Sequence, residues 1–392
     1  MTDLTEKYEQ LWRQASDNNF FGWDPFDGLE SRIFRVTPLR YFRSTRLLWQ
    51  QAVKRSPVNL RRLLIVPKSV NSKGLALFLL AATARHRAEP TLTHHVEMET
   101  LVPILLGKEV RNSSANTLAF GYNFDWQSRA FFAPKGLPTI VPTAFAARAI
   151  YEYWRQKGGW VFERALIDIG HFISKDLNRS IDTADEICFS YTPLDHTKIY
   201  NASLLAAEAL AYGSEVSSEY GFRELSQKAV RFVLNGQRED GSWLYGPGEI
   251  HGWVDNFHTA FVLDSLRRIS ELMPWINSEV EPAIDRGFEY WVSNFFLDDG
   301  TPKYFDQQTY PIDIHSAAAA IVTLAGFAGR DIRALPLARK VADLMVANLI
   351  GPDGSTYYQK RRLFTVKTPF VRWGQAWTAY ALASLIEAEI AK

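Results

Sequence analysis

Two kinds of helix-length segment alternate along the 392 residues. One kind gathers its charge on a single face, as in Phe222-Arg223-Glu224-Leu225-Ser226-Gln227-Lys228-Ala229-Val230-Arg231. The other is small and apolar almost all round, as in Ala202-Ser203-Leu204-Leu205-Ala206-Ala207 and Ser316-Ala317-Ala318-Ala319-Ala320. Apolar periodicity and stop signals predict the charged kind at 41–56, 93–106, 160–178, 222–235, 279–296 and 335–350. The small kind is predicted at 73–87, 142–157, 201–212, 258–270, 315–328 and 375–390. A helix apolar on every side is buried, whereas one with a charged face lies at the surface. Six inner helices inside six outer ones is the economical arrangement: an all-α (α/α)6 toroid, one domain over 1–392, with 1–110 fitting least well. An open solenoid of helix pairs is the alternative, though its loops are rarely so long. Gly158-Gly159, Gly213 and Asn235-Gly236 read as helix terminators. Thr143, Asn201, Thr259 and Ser316 read as N-caps of small helices.

The connections carry a second pattern. Gln237-Arg238-Glu239-Asp240-Gly241-Ser242-Trp243-Leu244-Tyr245 runs into Trp253-Val254-Asp255-Asn256-Phe257-His258-Thr259 just before a small helix. Related loops hold Tyr191 to Asp195 with Asn201, Asp299-Gly300 through Tyr310 to His315, and Asp353-Gly354-Ser355 through Arg372-Trp373-Gly374-Gln375. Asp195 to Asp255 is 60 positions, Asp255 to Asp313 is 58, and Asp313 to Gln375 is 62. Such a period marks repeated supersecondary units. The outer-to-inner loops run to roughly 20 residues, a length usually kept for function. In a toroid they gather at one mouth, over the inner-helix N-termini, whose partial positive charge favours an anionic group.

Composition narrows the function. A net charge of +1 lacks the basic excess of a nucleic-acid binder. The short clusters Arg61-Arg62 and Lys360-Arg361-Arg362 read as solvated surface, although the segment following residue 28 is basic and irregular. Cys188, the single cysteine, permits neither an intrachain disulfide nor a cysteine zinc site and suits a reducing compartment. No apolar run reaches the roughly 18 residues of a membrane span, and no signal peptide is legible at the N-terminus, so a soluble cytoplasmic protein is expected. Aromatic content is 14%, and much of the Trp and Tyr sits beside Asp, Asn and Gln in the loops, as in Tyr122-Asn123-Phe124-Asp125-Trp126. Packing explains most Phe residues; loop Trp and Tyr beside polar groups suggest a ligand surface.

The Gln237 to Trp243 segment resembles the Q-x-x-D-G-S-W repeat of terpenoid cyclases and prenyltransferases. It is also similar to six-hairpin glycosidase-like proteins, including uncharacterised ones encoded with polysaccharide-biosynthesis genes. Trp253 to Thr259 together with Tyr310 to His315 resembles that last group most, over roughly residues 110–392. The resemblance implies the toroid, and it leaves Gln237, Gly241 and Trp243 as joints between hairpins. The D-x-D-D acid of class II terpenoid cyclases is missing, and Asp185-Glu186-Ile187-Cys188 does not match a prenyltransferase zinc site. Isoprenoid chemistry is therefore disfavoured.

Glycan chemistry suits the remaining residues. Tyr122, Asp125, Trp126, Tyr191, Asp195, Asn201, Trp253, Asn256, Arg372, Trp373 and Gln375 offer rings for sugar C–H faces and polar groups for hydroxyls. Asp255 and Asp313 occupy equivalent places and are the candidate acid/base pair, since glycoside hydrolysis needs two carboxyl groups. His258 and His315 could assist, or act as paired bases of an epimerase or lyase; alternatively each Asp caps its helix and each His binds a hydroxyl. Arg372 could hold a carboxylate or phosphate, or pair with a loop Asp. The expected function is acid/base chemistry on an anionic glycan, in polysaccharide or surface-glycan metabolism and without metal or cofactor. A non-catalytic glycan-binding or assembly component is the alternative. Sugar identity and oligomeric state are not legible.

Overall fold

The computed structural model describes residues 3–392 apart from Ala130 and Glu219. In chain order its helices are α1 (Leu4–Asp17), α2 (Arg32–Arg35), α3 (Arg43–Arg55), α4 (Ser72–Ala88), α5 (Leu92–Leu106), α6 (Ile140–Lys157) and α7 (Trp160–His171). Then follow α8 (Tyr200–Val216), α9 (Tyr220–Asn235), α10 (Asn256–Leu272), α11 (Asn277–Phe295), α12 (Ile314–Gly326), α13 (Ala334–Leu349) and α14 (Trp377–Ile390). The chain divides into two compact units. The first comprises Met1–Ile104, Gly121–Leu137 and Tyr310–Lys392, and the second Leu105–Phe120 and Pro138–Thr309.

In the first unit α14 lies between α4 and α12; α13 packs on α12 and α14, and α1 packs on α14. Every residue of α12 from Ile314 to Ala325 is buried, as its run of alanines requires. Residues 41–56 do not serve as an outer helix. α3 packs instead on the short turns Asp27–Glu30 and Pro38–Tyr41 and on the strand Trp126–Gln127. The place against α14 goes to α1, whose Leu4, Tyr8, Leu11, Trp12 and Ala15 form a buried stripe. Asp3 caps α1 by accepting the Thr5 and Glu6 N–H groups.

The second unit repeats the scheme. α8 lies between α6 and α10, α7 packs on α6 and α8, α9 on α8, and α11 on α10. A hairpin of Arg179–Asp182 with Ile187–Phe189 buries Cys188 completely, and burial pushes its thiol up to about 12. Thr143, Asn201, Thr259 and Ser316 all lie inside helices that begin one or two residues earlier than expected. Asp255 and Asp313 are the true caps of α10 and α12. Gly213 does not end α8 either. A Cβ there would lie 3.2 Å from the Phe222 ring and 3.3 Å from the Leu166 carbonyl oxygen, so the glycine admits close packing of neighbouring helices. Gly158 and Gly159 do terminate α6, with φ of 67° and 113°.

The repeated loops open with one turn in three copies. Bridges join Gln237 to Trp243, Phe296 to Pro302 and Ile350 to Thr356, with Gly241, Gly300 and Gly354 at positive φ within them. Gln237 Nε2 donates to the carbonyls of Gly241 and Ala283, and Trp243 Nε1 donates to that of Val233. These side chains fasten the turn to α9, which precedes it, and to α11 of the next hairpin.

Three central helices of the second unit are also joined by charge. Arg148 of α6 donates from Nε and Nη2 to the Glu208 carboxylate of α8, both at 2.7 Å. Its Nη1 reaches Asp264 of α10 at 2.7 Å. Tyr212 and Ser265 hydroxyls complete Glu208, while Arg267 and Arg268 complete Asp264. Burial alone would disfavour these charges. The surrounding arginines nevertheless hold the Asp264 carboxyl far below the carboxylate range, and Arg148 rises above its ordinary value through Glu208 and Asp264 despite its burial.

Removing one partner strands the others, so Arg148→Leu should lower unfolding free energy by about 3–5 kcal/mol, read from urea denaturation. Gly241→Ala should cost about 1–3 kcal/mol, because φ is 90° and a Cβ would lie 2.4 Å from the Arg286 carbonyl oxygen. An unchanged midpoint in either variant would refute the corresponding assignment.

Candidate active site

In the second unit, extended backbone at Asp255 delivers its carboxylate to the N-terminus of α10. Oδ1 accepts the His258 N–H at 2.9 Å, an ordinary cap. Oδ2 accepts the Trp253 indole N–H at 3.0 Å and faces His258 Nδ1 at 2.6 Å. The carboxylate is buried, whereas the imidazole is 22% exposed. Among the described residues nothing hydrogen-bonds Nε2 of His258. An acceptor at Nδ1 fixes the tautomer, keeping the proton there and leaving the Nε2 lone pair outward. Tyr245 stacks on Trp253 with ring centres 4.7 Å apart and lies 4.5 Å from the His258 ring.

Beside this pair is a small, partly open space of about 10 Å³, lined by Tyr200, Asn201, Tyr245, Asp255, His258 and Thr259 among others. It holds about one water molecule. Asn201 Oδ1 is buried and, among the described residues, receives no hydrogen bond. The structure thus brings Asn201, Trp253, Asp255 and His258 together. It does not bring Asp195 or Asn256 to them with free polar atoms. The Asp195 carboxylate accepts from the backbone of Tyr191, Thr192 and Thr197 and from both threonine hydroxyls, clasping its own loop. The Tyr191 carbonyl accepts the Ile140 N–H at 3.0 Å. Asn256 is fully buried, donating to the Lys303 carbonyl and accepting from Trp291 Nε1.

The first unit repeats the carboxylate–indole pairing. Asp313 caps α12 by accepting the His315 and Ser316 N–H groups, and it also accepts Trp373 Nε1 at 3.1 Å and Gln359 Nε2 at 2.6 Å. Burial lifts its carboxyl above the ordinary value, against the pull of these donors and Lys54. His315 is buried, stacked on Trp373 with centres 4.1 Å apart and edge-on to Trp377. Arg372 is not offered to an anion. Its Nε and Nη2 grip both oxygens of Asp24, at 2.6 and 2.8 Å, with both side chains buried. Gln375 donates to Gln14 of α1 at 2.7 Å. Asp125 accepts the Lys135 N–H and lies 3.5 Å from Arg35, while Tyr122 stacks on Phe124 and meets Trp126 edge-on.

Lys54, on α3, escaped the sequence reading. Its ammonium lies 3.9 Å from the Phe26 ring centre and 5.8 Å from that of Trp373. Among the described residues it makes no hydrogen bond or ion pair. Burial lowers its pKa from 10.5 to about 8, against the attraction of Asp313 and Asp24. One lysine on an amphipathic helix carries no signal of this, because Phe26 and Trp373 come from distant segments. Tyr245 was more legible, as the ring ending the Ser242-Trp243-Leu244-Tyr245 run.

The fold places this arrangement among known structures. A cellobiose 2-epimerase from Bacillus thermoamylovorans superimposes with a TM-score of 0.61 at 11% identity, covering 81% of this chain and 88% of its own. The GH76 α-mannanase BT2949 of Bacteroides thetaiotaomicron gives 0.61 at 9% identity, over 81% and 86%. An unsaturated glucuronyl hydrolase of Bacillus sp. GL1 gives 0.56 at 12%, over 78% and 84%. No protein-family profile matches the chain. No curated protein matches it. The fold is therefore the six-hairpin (α/α)6 toroid, shared at identities that carry the architecture alone.

The Lys54 environment predicts a titration. Reductively ¹³C-methylated Lys54 should titrate by NMR near pH 8, and Asp313→Asn should move the midpoint lower by removing a stabilising charge. The unfolded chain holds this proton up to about pH 10.5, so the Lys54 contribution to stability rises with pH between the two values. Titration near the usual lysine value would refute the enclosure.

Proposed function

We propose that this protein is a carbohydrate-active enzyme in which His258, oriented by Asp255, moves a proton at a sugar, as an epimerase or lyase does. The supporting observation is the 2.6 Å contact between His258 Nδ1 and Asp255 Oδ2, with no hydrogen bond to Nε2 among the described residues, beside the Tyr245–Trp253 stack. In this reading Nε2 abstracts a proton from the sugar and becomes an imidazolium, which the Asp255 carboxylate stabilises. The same Nε2–H then delivers the proton to a leaving group, as in a lyase, or to the opposite face of the carbon once the deprotonated sugar has turned, as in an epimerase. The stacked aromatic pair offers an apolar face for sugar C–H groups, and Asn201 Oδ1 offers an acceptor for a hydroxyl. That epimerases, a mannanase and a glucuronyl hydrolase share the fold supports a sugar substrate.

Hydrolysis by an Asp255–Asp313 pair is the less favoured chemistry, because the oxygens of both carboxylates are engaged by donors. An acidic substrate likewise loses Arg372, whose charge is met by Asp24. A role in polysaccharide or surface-glycan metabolism within the cytoplasm completes the proposal; the absence, among the described residues, of any helix long and apolar enough to cross a membrane is compatible with it.

The test is exchange of sugar C–H for deuterium in D₂O, followed by ¹H NMR across neutral and acidic mono- and oligosaccharides. Exchange or turnover should fall by about 10²–10⁴-fold in His258→Asn and should be weakened in Asp255→Asn, whose carboxamide still caps α10. Turnover surviving in His258→Asn would remove the histidine from the mechanism. Calorimetric binding of a glycan with no exchange or turnover in wild-type protein would establish the non-catalytic glycan-binding alternative.

A further inference from the structure

The charge of this chain is balanced overall but not locally. Residues 31–68 hold eight arginines and two lysines and no Asp or Glu. Part of that charge is used internally. Arg61, expected at the surface, is buried and donates to Asp27 at 2.7 Å, while Arg35 pairs with Glu30. Arg32, Arg40, Arg43, Arg55 and Arg62 remain exposed, and among the described residues none has a carboxylate partner. Exposed cations without acids between them keep their field, which reaches about 8–10 Å into physiological salt.

The same segment also shows large apolar groups to solvent. Val36, Tyr41, Phe42, Leu48, Val58 and Leu63 are each more than half exposed. On α3 the exposed stripe is Ser44, Leu48, Ala52 and Arg55, opposite buried Gln50 and Val53. Neighbouring α2 and the Pro38–Tyr41 turn pack against each other, and that turn packs against α3, so their side chains share one region of the first unit. Apolar side chains set among unpaired arginines differ from the mixed charge of ordinary surface.

We infer that the 31–68 stretch, α2 and α3 with the turn after them that returns to α2 through Ser31 Oγ on the Leu64 carbonyl and Arg32 N–H on that of Ile65, is a peripheral docking face for an anionic lipid bilayer. Arginines meet lipid phosphates at the headgroup level while Leu48 and its apolar neighbours enter the acyl boundary. A nucleic acid would use the arginines but gain nothing from Val36 and Leu48. A second copy of the same face would set five unpaired arginines against five. The proposal is independent of the chemistry at His258.

Co-sedimentation of the full-length protein with vesicles tests it. Binding is expected to vesicles of phosphatidylcholine with phosphatidylglycerol, to be absent from phosphatidylcholine alone, and to weaken as salt is raised. Each arginine near the surface contributes about fivefold to partitioning, so Arg55→Gln with Arg62→Gln should weaken binding about 25-fold. Leu48→Ser should also weaken it, while Lys157→Gln, in the second unit, should leave it unchanged. All four side chains substituted are exposed or half-buried, and thermal melts confirm that each variant is folded. Failure to pellet with anionic vesicles, or pelleting unaffected by the double substitution, overturns the proposal. So does retention of RNA or of an acidic polypeptide by the same arginines without vesicle binding, since the face would then serve another partner.

Discussion

The second unit depends on Arg148. Its guanidinium joins three buried helices that ring contacts also hold, Phe145 against Phe261 and Tyr151 against Tyr212, but apolar contacts of this kind leave some freedom to rotate. Three N–H groups in one rigid plane, two matched to Glu208 on one side and one to Asp264 on the other, remove that freedom. A well-packed apolar substitute for the whole cluster could be as stable. What the ionic version adds is register: only one rotation of α6, α8 and α10 satisfies every donor. The ends of α8 and α10, where Asn201, Asp255 and His258 stand, inherit that register.

Asp255 and Asp313 show how one residue type serves two levels of structure. Each ends an extended segment and begins a helix, and each also anchors an indole from its own loop or a later one. The two sites diverge in the next shell. Asp255 turns one oxygen to a partly exposed imidazole, whereas Asp313 turns its oxygens to a glutamine and an indole while His315 lies sealed beneath Trp373. Equivalent sequence positions therefore do not have equivalent chemistry.

The helix series was legible because its signal is redundant: periodicity, small-residue runs and turn glycines all repeat along the chain. α1 was not read, although Leu4, Tyr8, Leu11, Trp12 and Ala15 carry its stripe, and 41–56 was given the outer place instead. Single charges at Arg148, Glu208 and Asp264 inside apolar helices could have announced a buried network, since such charges persist only when paired. The candidate site was half legible. Asp255 and His258 lie three residues apart, within one helical turn, so their contact follows from local geometry. Arg372 with Asp24 spans 348 positions and Lys54 with Trp373 more than three hundred, and no local pattern encodes such meetings.

Cys188 carries one consequence of its own. Sealed in a hairpin with its thiol displaced to about 12, it supplies almost no thiolate at neutral pH. Alkylating reagents and mild oxidants act on the thiolate, so the native chain is silent to them while folded. A cysteine introduced anywhere on the surface would then be the sole reactive handle on the molecule, and the native one would answer only when the chain opens. The same buried sulfur is in this way an internal clock for unfolding that needs no engineered reporter.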